Sequence, residues 1–124
     1  MEKTSKQILS ADSIREVKRL KTVYPEKKSA ILMILHVIHR QFGFIDKTAL
    51  VEAADLMELP VIDFEQSASF YTYFPSKKTG KYHIQICRTL SCYLRGAEEV
   101  KTYIIELLKL KNNEITDDGL FSLT

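Results

Sequence analysis

The sequence predicts an α+β chain: a helical bundle in the amino-terminal half, then a smaller unit in which strands alternate with a helix. Three observations carry that prediction. Up to about residue 70, apolar side chains recur at three- and four-residue intervals between capping residues. "PSKKTG", residues 75–80, interrupts the pattern with turn-forming residues. Immediately after it, "KYHIQIC", residues 81–87, alternates polar with apolar, the period of a half-buried strand.

Each element follows from local chemistry. In "SADSIREVKRLKTVYP", residues 10–25, Ile14, Val17 and Leu20 share a face, with Ser10 and Asp12 as candidate caps and Pro25 as a stop. This predicts a short helix over 11–21. "EKKSAILMILHVIHRQFG" carries Ala30, Ile31, Ile34, Leu35 and Ile38 along one broad face and ends at Gly43, a residue suited to a left-handed cap. It should be the central helix of the first half. "DKTALVEAADLMELP" opens on Asp46 as cap, places Leu50, Ala54 and Met57 on one stripe and halts before Pro60. In "DFEQSASFYTYF", Asp63 is followed three residues later by Gln66, a capping-box pattern, so a fourth helix should run to about Phe70.

Beyond the turn, Tyr82, Ile84 and Ile86 predict a strand that ends at Cys87. A helix over 93–110 follows, with Leu94, Ala97, Val100, Ile104 and Leu108 as its apolar stripe and Glu98, Lys101 and Lys109 outside it. "NEITDDGLFSLT" reads as two short strands, 114–116 and 120–123, around an Asp118-Gly119 turn. The expected division is a helical domain over 1–74 and an α/β domain over 75–124. Three short strands and one helix expose more apolar surface than so few residues cover, so this second unit is expected to be incomplete.

Composition narrows the function. With 45% hydrophobic and 27% charged residues, the 124-residue chain has the make-up of an ordinary globular protein. A net charge of +2 gives no electrostatic footprint for nucleic acid. The longest apolar run, "AILMILHVI", is far shorter than a bilayer span and contains His36, so no direct membrane insertion is expected. The amino terminus lacks a signal-peptide pattern, which predicts a cytoplasmic location and reduced thiols. No glycine-rich phosphate loop occurs, and no serine or cysteine nucleophile stands in a recognisable arrangement with histidine and carboxylate. Neither dinucleotide binding nor independent catalysis is therefore expected of the chain alone.

The two cysteines, Cys87 and Cys92, lie in "ICRTLSCYLRG" between the predicted strand and the next helix. Thiols at a strand–helix junction are plausible metal ligands, and a helix amino terminus there would favour the thiolate. C-x4-C is wider than the thioredoxin C-x-x-C and supplies only half of a four-ligand site. On spacing alone, metal ligands, a redox pair and two small core residues all stay open. His36 and His39, three apart on a helix, lack a carboxylate or cysteine partner near by in sequence and read as ordinary helix histidines, and His83 as a solvent-facing strand residue. Phe70, Tyr71, Tyr73 and Phe74 read as a hydrophobic junction that could also shield a cofactor or dock a partner.

Tyr24-Pro25 before "AILMIL", "QFGFI" at 41–45, "ASFYTYF" at 68–74, "GKYHIQIC" at 80–87, "CYLRGAEE" at 92–99 and "EITDDGLFSL" at 114–123 together resemble one family. It is the thioredoxin-like 2Fe-2S subunit of NADH:quinone oxidoreductase, respiratory complex I, with counterparts in NAD-linked hydrogenases and formate dehydrogenases. The resemblance implies a thioredoxin-like second domain and an electron-transfer role within an oxidoreductase, beside the flavin- and NADH-binding subunit on the cytoplasmic side of a membrane complex. It also implies that Cys87 and Cys92 are the first two ligands of a 2Fe-2S cluster. The family places two further cysteines in a segment like C-L-G-A-C after the hairpin that matches 114–123. Nothing within the 124 residues corresponds to that segment, so the expectation is a chain truncated before the second pair and two ligands short of a cluster. A cofactor-free assembly or interaction module is the alternative.

Overall fold

Ser10 begins the first helix as expected: its hydroxyl accepts the Ser13 N–H at 3.1 Å. In the computed structural model, which describes residues 7–111 and 115–124, α1 then runs over Ala11–Val23 and stops at the extended Tyr24 before Pro25. A 3-10 turn over Lys27–Ala30 leads into α2, Ile31–Phe42. Gly43 closes α2 in the left-handed conformation (φ 78°), and its N–H returns to the His39 carbonyl at 2.7 Å. Asp46 caps α3, Lys47–Met57, by accepting from the N–H groups of Thr48 and Ala49. Glu58 ends α3 with φ 57°, an unusual conformation for a non-glycine residue.

The fourth helix corrects the sequence reading of its start. α4 spans Val61–Phe70 with Pro60 as its capping residue, so Asp63 lies inside the first turn and caps nothing. Its carboxylate instead meets the Lys28 ammonium at 3.0 Å. Proline already supplies the extended entry geometry and lacks the N–H that a first turn leaves unsatisfied, so no acidic cap is needed.

These elements build the first of two compact units, Met1–Lys78. Its core is one cluster in which Val17, Ile34, Leu35, Ile38, Met57 and Phe64 are fully buried. Burying each of these large side chains stabilises by about 1.5–3 kcal/mol, which makes α2 the keel of the unit. The segment before α1 is tied to this core. Glu52 accepts from the N–H groups of Ile8 and Leu9 at 3.0 and 3.1 Å, while Gln41 accepts from Ser10 N–H and donates to the Ile8 carbonyl.

The second unit, Thr79–Thr124, contains β1 (Tyr82–Ile84), α5 (Leu90–Leu94), α6 (Ala97–Leu108) and β2 (Phe121–Leu123). β1 and β2 pair in parallel, Tyr82 opposite Phe121 and Ile84 opposite Leu123. Parallel pairing requires a crossover, and α5 and α6 lie in it. Gly80 permits the close approach: a Cβ there would stand 2.6 Å from the Phe121 carbonyl carbon and 2.9 Å from the Ser122 nitrogen. Among the described residues no helix is long and apolar enough to cross a membrane.

Three expectations for this unit change. The single helix over 93–110 is two helices, because Gly96 adopts φ 97° and breaks the path. The half-buried side of α6 runs through Ala97, Lys101, Ile104, Ile105 and Leu108, while Leu94 and Val100 are exposed. Residues 115 and 116 form no strand and Glu114 lies outside the described residues; the turn is closed instead by Thr116 N–H on the Phe121 carbonyl at 2.8 Å. Leu123 is buried, whereas Leu90, Tyr93, Tyr103 and Leu107 are exposed.

Candidate metal centre

The loop that carries the cysteines is delivered by the sheet. Past β1 the pairing continues, with Thr124 N–H on the Ile84 carbonyl and Ile86 N–H on the Thr124 carbonyl, both at 2.9 Å. Cys87 is the first residue beyond this ladder, in the loop before α5, and Cys92 lies within α5 itself. Both thiols are exposed and free. Each thiol moves the titration of the other, in opposite directions.

A residue that the sequence reading passed over completes this arrangement. The Thr89 hydroxyl sits 3.0 Å from the Cys87 sulfur, and its backbone N–H also points there. These two donors, with the Cys92 thiol, hold Cys87 below the ordinary thiol range. Cys92 moves the other way, because its proton is engaged by Cys87 and a second thiolate would face the first. The pair thus loses its first proton easily and its second reluctantly, as two interacting groups at one site do. The visible signal was the spacing Cys-x-Thr, in which a hydroxyl two residues on can reach back to the sulfur. α5, a helix of five residues, contributes no long dipole, so the hydrogen bonds replace the helix-terminus effect expected from sequence. Arg88, between Cys87 and Thr89, reaches Glu98 in the first turn of α6 at 3.3 Å.

The remaining candidates do not join the cysteines. His36 and His39 are half-buried in the first unit, where their rings pack against Tyr73 and Phe74 at centroid distances of 5.0–6.2 Å. Phe74 belongs to the core, whereas Phe70 and Tyr73 are exposed. His83 is not simply solvent-facing: its Nδ1 lies 2.7 Å from the Ser122 hydroxyl, which also accepts the Gly80 N–H at 2.9 Å. Among the described residues no three histidine, cysteine or acidic side chains converge on a metal position.

The model of the thioredoxin-like 2Fe-2S ferredoxin family matches residues 17–124. The chain belongs to that family. Within it, the chain is 40% identical over 97 residues to NADH-quinone oxidoreductase subunit 2 of Thermus thermophilus, covering 78% of this chain and 54% of the relative. To the NADH-quinone oxidoreductase E subunit of Aquifex aeolicus it is 34% identical over 100 residues, covering 81% of this chain and 62% of the relative. The corresponding E subunit of Rickettsia bellii is 40% identical over 106 residues, covering 84% and 64%. The match thus spans between half and two thirds of the length of these relatives. The described fold, α+β with helices first and a parallel strand pair after, is that of a thioredoxin-like ferredoxin-family member.

The donor set of this ferredoxin-family chain can be tested against a 2Fe-2S cluster. Each iron takes two thiolates, and Cys87 and Cys92 together would supply that number for one iron. With two cysteines in 124 residues, the chain's own thiols do not satisfy it for both. The fit is to one side of a cluster.

Proposed function

We propose that this chain serves in an NADH-quinone oxidoreductase as part of its 2Fe-2S electron-transfer subunit, with Cys87 and Cys92 as the ligands of one iron. The family match over 17–124, with both cysteines inside it, is the observation that carries this reading. The cluster, when bound, supplies a one-electron relay. The chain's residues hold it: β1 and its ladder present Cys87, α5 presents Cys92, and the Thr89 hydroxyl orients the Cys87 sulfur and withdraws charge from it. The other two thiolates come from outside these 124 residues. Hydride chemistry belongs to a flavin- and NADH-binding partner subunit, beside which this chain docks on the cytoplasmic face of the complex. It is an oxidoreductase component only in that setting.

Anaerobic reconstitution with iron and sulfide tests the ligands. The isolated 124-residue chain is expected to give no stable 2Fe-2S absorption as a monomer, and the chain extended by a family-type segment with two cysteines is expected to give it. Cys87→Ser and Cys92→Ser should each remove the spectrum from the extended chain. Retention of the spectrum in both variants overturns the ligand assignment. Coexpression tests the setting, and failure of the flavin-binding subunit to copurify with the extended chain overturns the proposed partner.

A further inference from the structure

We propose that Thr89 is a positioning residue for electron transfer: its hydroxyl donates to the Cys87 sulfur and raises the reduction potential of a cluster bound through that sulfur. The inference rests on Cys87 being a ligand, as proposed above, and adds to it the group that sets how readily the site accepts an electron. Two observations at the start of α5 carry it. The Thr89 hydroxyl oxygen lies 3.0 Å from the Cys87 sulfur. Thr89 is also the capping residue of α5, a position where a threonine hydroxyl ordinarily accepts from a backbone N–H of the first turn, yet here its side chain caps nothing. The hydroxyl is turned to the sulfur instead.

The direction of the bond follows from the ligand role. Between a free thiol and a hydroxyl either group can donate. A sulfur that ligates a metal has given up its proton and can only accept, so the Thr89 hydroxyl is then the donor. The main chain holds that donor in place, because the Thr89 carbonyl accepts the Tyr93 N–H at 2.9 Å and so belongs to the first turn of α5. Arg88, the residue between Cys87 and Thr89, is paired with Glu98 at 3.3 Å. Reduction adds one electron, breaks no bond and moves no proton, and part of the added negative charge falls on the ligand sulfurs. A hydrogen bond strengthens as its acceptor becomes more negative, so the Thr89 hydroxyl favours the reduced form over the oxidised one.

The test is a reductive titration of the extended, cluster-loaded chain of the reconstitution experiment, with dithionite as electron donor, redox mediators, and the electron paramagnetic resonance signal of the reduced form as readout. Thr89→Val keeps the shape of threonine and removes the donor. At a fixed potential its ratio of reduced to oxidised protein should fall about tenfold, which for one electron is a downward shift of about 59 mV. Thr89→Ser restores a hydroxyl and should keep the wild-type potential. Because the Thr89 side chain caps nothing, valine should leave the urea midpoint of the 124-residue chain unchanged, which separates tuning from folding. A Thr89→Val potential equal to or above the wild-type value overturns the proposal, as does a serine variant that shifts as far as the valine one. Retention of the spectrum in Cys87→Ser overturns the ligand reading and this inference with it. Loss of the spectrum in Cys87→Ser together with an unshifted valine potential leaves the ligand reading standing and overturns this inference alone.

Discussion

Protonation at single side chains gives the first unit an acid sensitivity that arrives in two steps. Burial, and then the neighbouring His36, holds His39 below the ordinary imidazole value of 6.5. A depressed folded pKa means that the unfolded chain takes up this proton first, so stability falls as pH drops through 6.5 toward the folded value. Glu58 acts lower down. Hydrogen bonds from Lys21 and Lys27, at 2.7 and 3.0 Å, bring its pKa from 4.5 to about 2. Its contribution is complete above 4.5 and is lost as pH falls from there to about 2. Both lysine pairs face solvent, so this second step should be small and should shrink with added salt. Urea midpoints measured from pH 8 to 2 should show the upper step removed in His39→Gln and the lower one in Glu58→Gln. A wild-type midpoint that does not change between pH 7 and pH 5 would refute the His39 assignment.

At the scale of elements, the sequence made the helices readable and the sheet only partly so. Ser10, Gly43 and Asp46 mark ends by side-chain or backbone chemistry that is local, which is why α1, α2 and α3 could be placed from sequence. Asp63 misled because a capping pattern and a proline cap compete for the same turn, and the outcome is set by where Pro60 sits. The α6 face was misplaced because the break at Gly96 resets the helical phase, so that Leu94 no longer shares a stripe with Ile104. Cys87 and Cys92 were legible as a pair from their spacing, whereas the contact with Thr89 depends on how the loop folds back. No pattern announced the clamp on residues 8–10 either, since Glu52 lies 44 residues from Ile8. Glu52→Ala would leave the Ile8 and Leu9 N–H groups without their acceptor, and Leu9 is buried in the core. The expected loss is about 1–3 kcal/mol in chemical denaturation, with Glu52→Gln recovering most of it. Equal stability of all three proteins would show that the clamp contributes nothing.

Across the whole molecule, burial is unevenly shared. The core cluster draws all of its members from the first unit, while in the second only Gly80, Ser122 and Leu123 are buried among the described residues. Amide exchange should follow that division. The slowest amides are expected in α2 and α3, and those of β1, β2 and α6 should exchange faster at the same pH. Equal protection in α2 and α6 would contradict this ranking. Gly80 gives the sparser unit a consequence for mutational tolerance. Every other amino acid begins with a Cβ, and at this position that atom would collide with the backbone of Phe121 and Ser122, which cannot rotate aside as a side chain can. At Gly43 no atom lies within 4 Å of the same added carbon, and asparagine accepts the left-handed backbone there. A saturation library screened for soluble, protease-resistant protein should therefore lose nearly every variant at Gly80 while retaining Gly43→Asn. Each survivor at Gly80 would need a second change that moves β2 aside, so the site can be used to select for compensating mutations in residues 119–124.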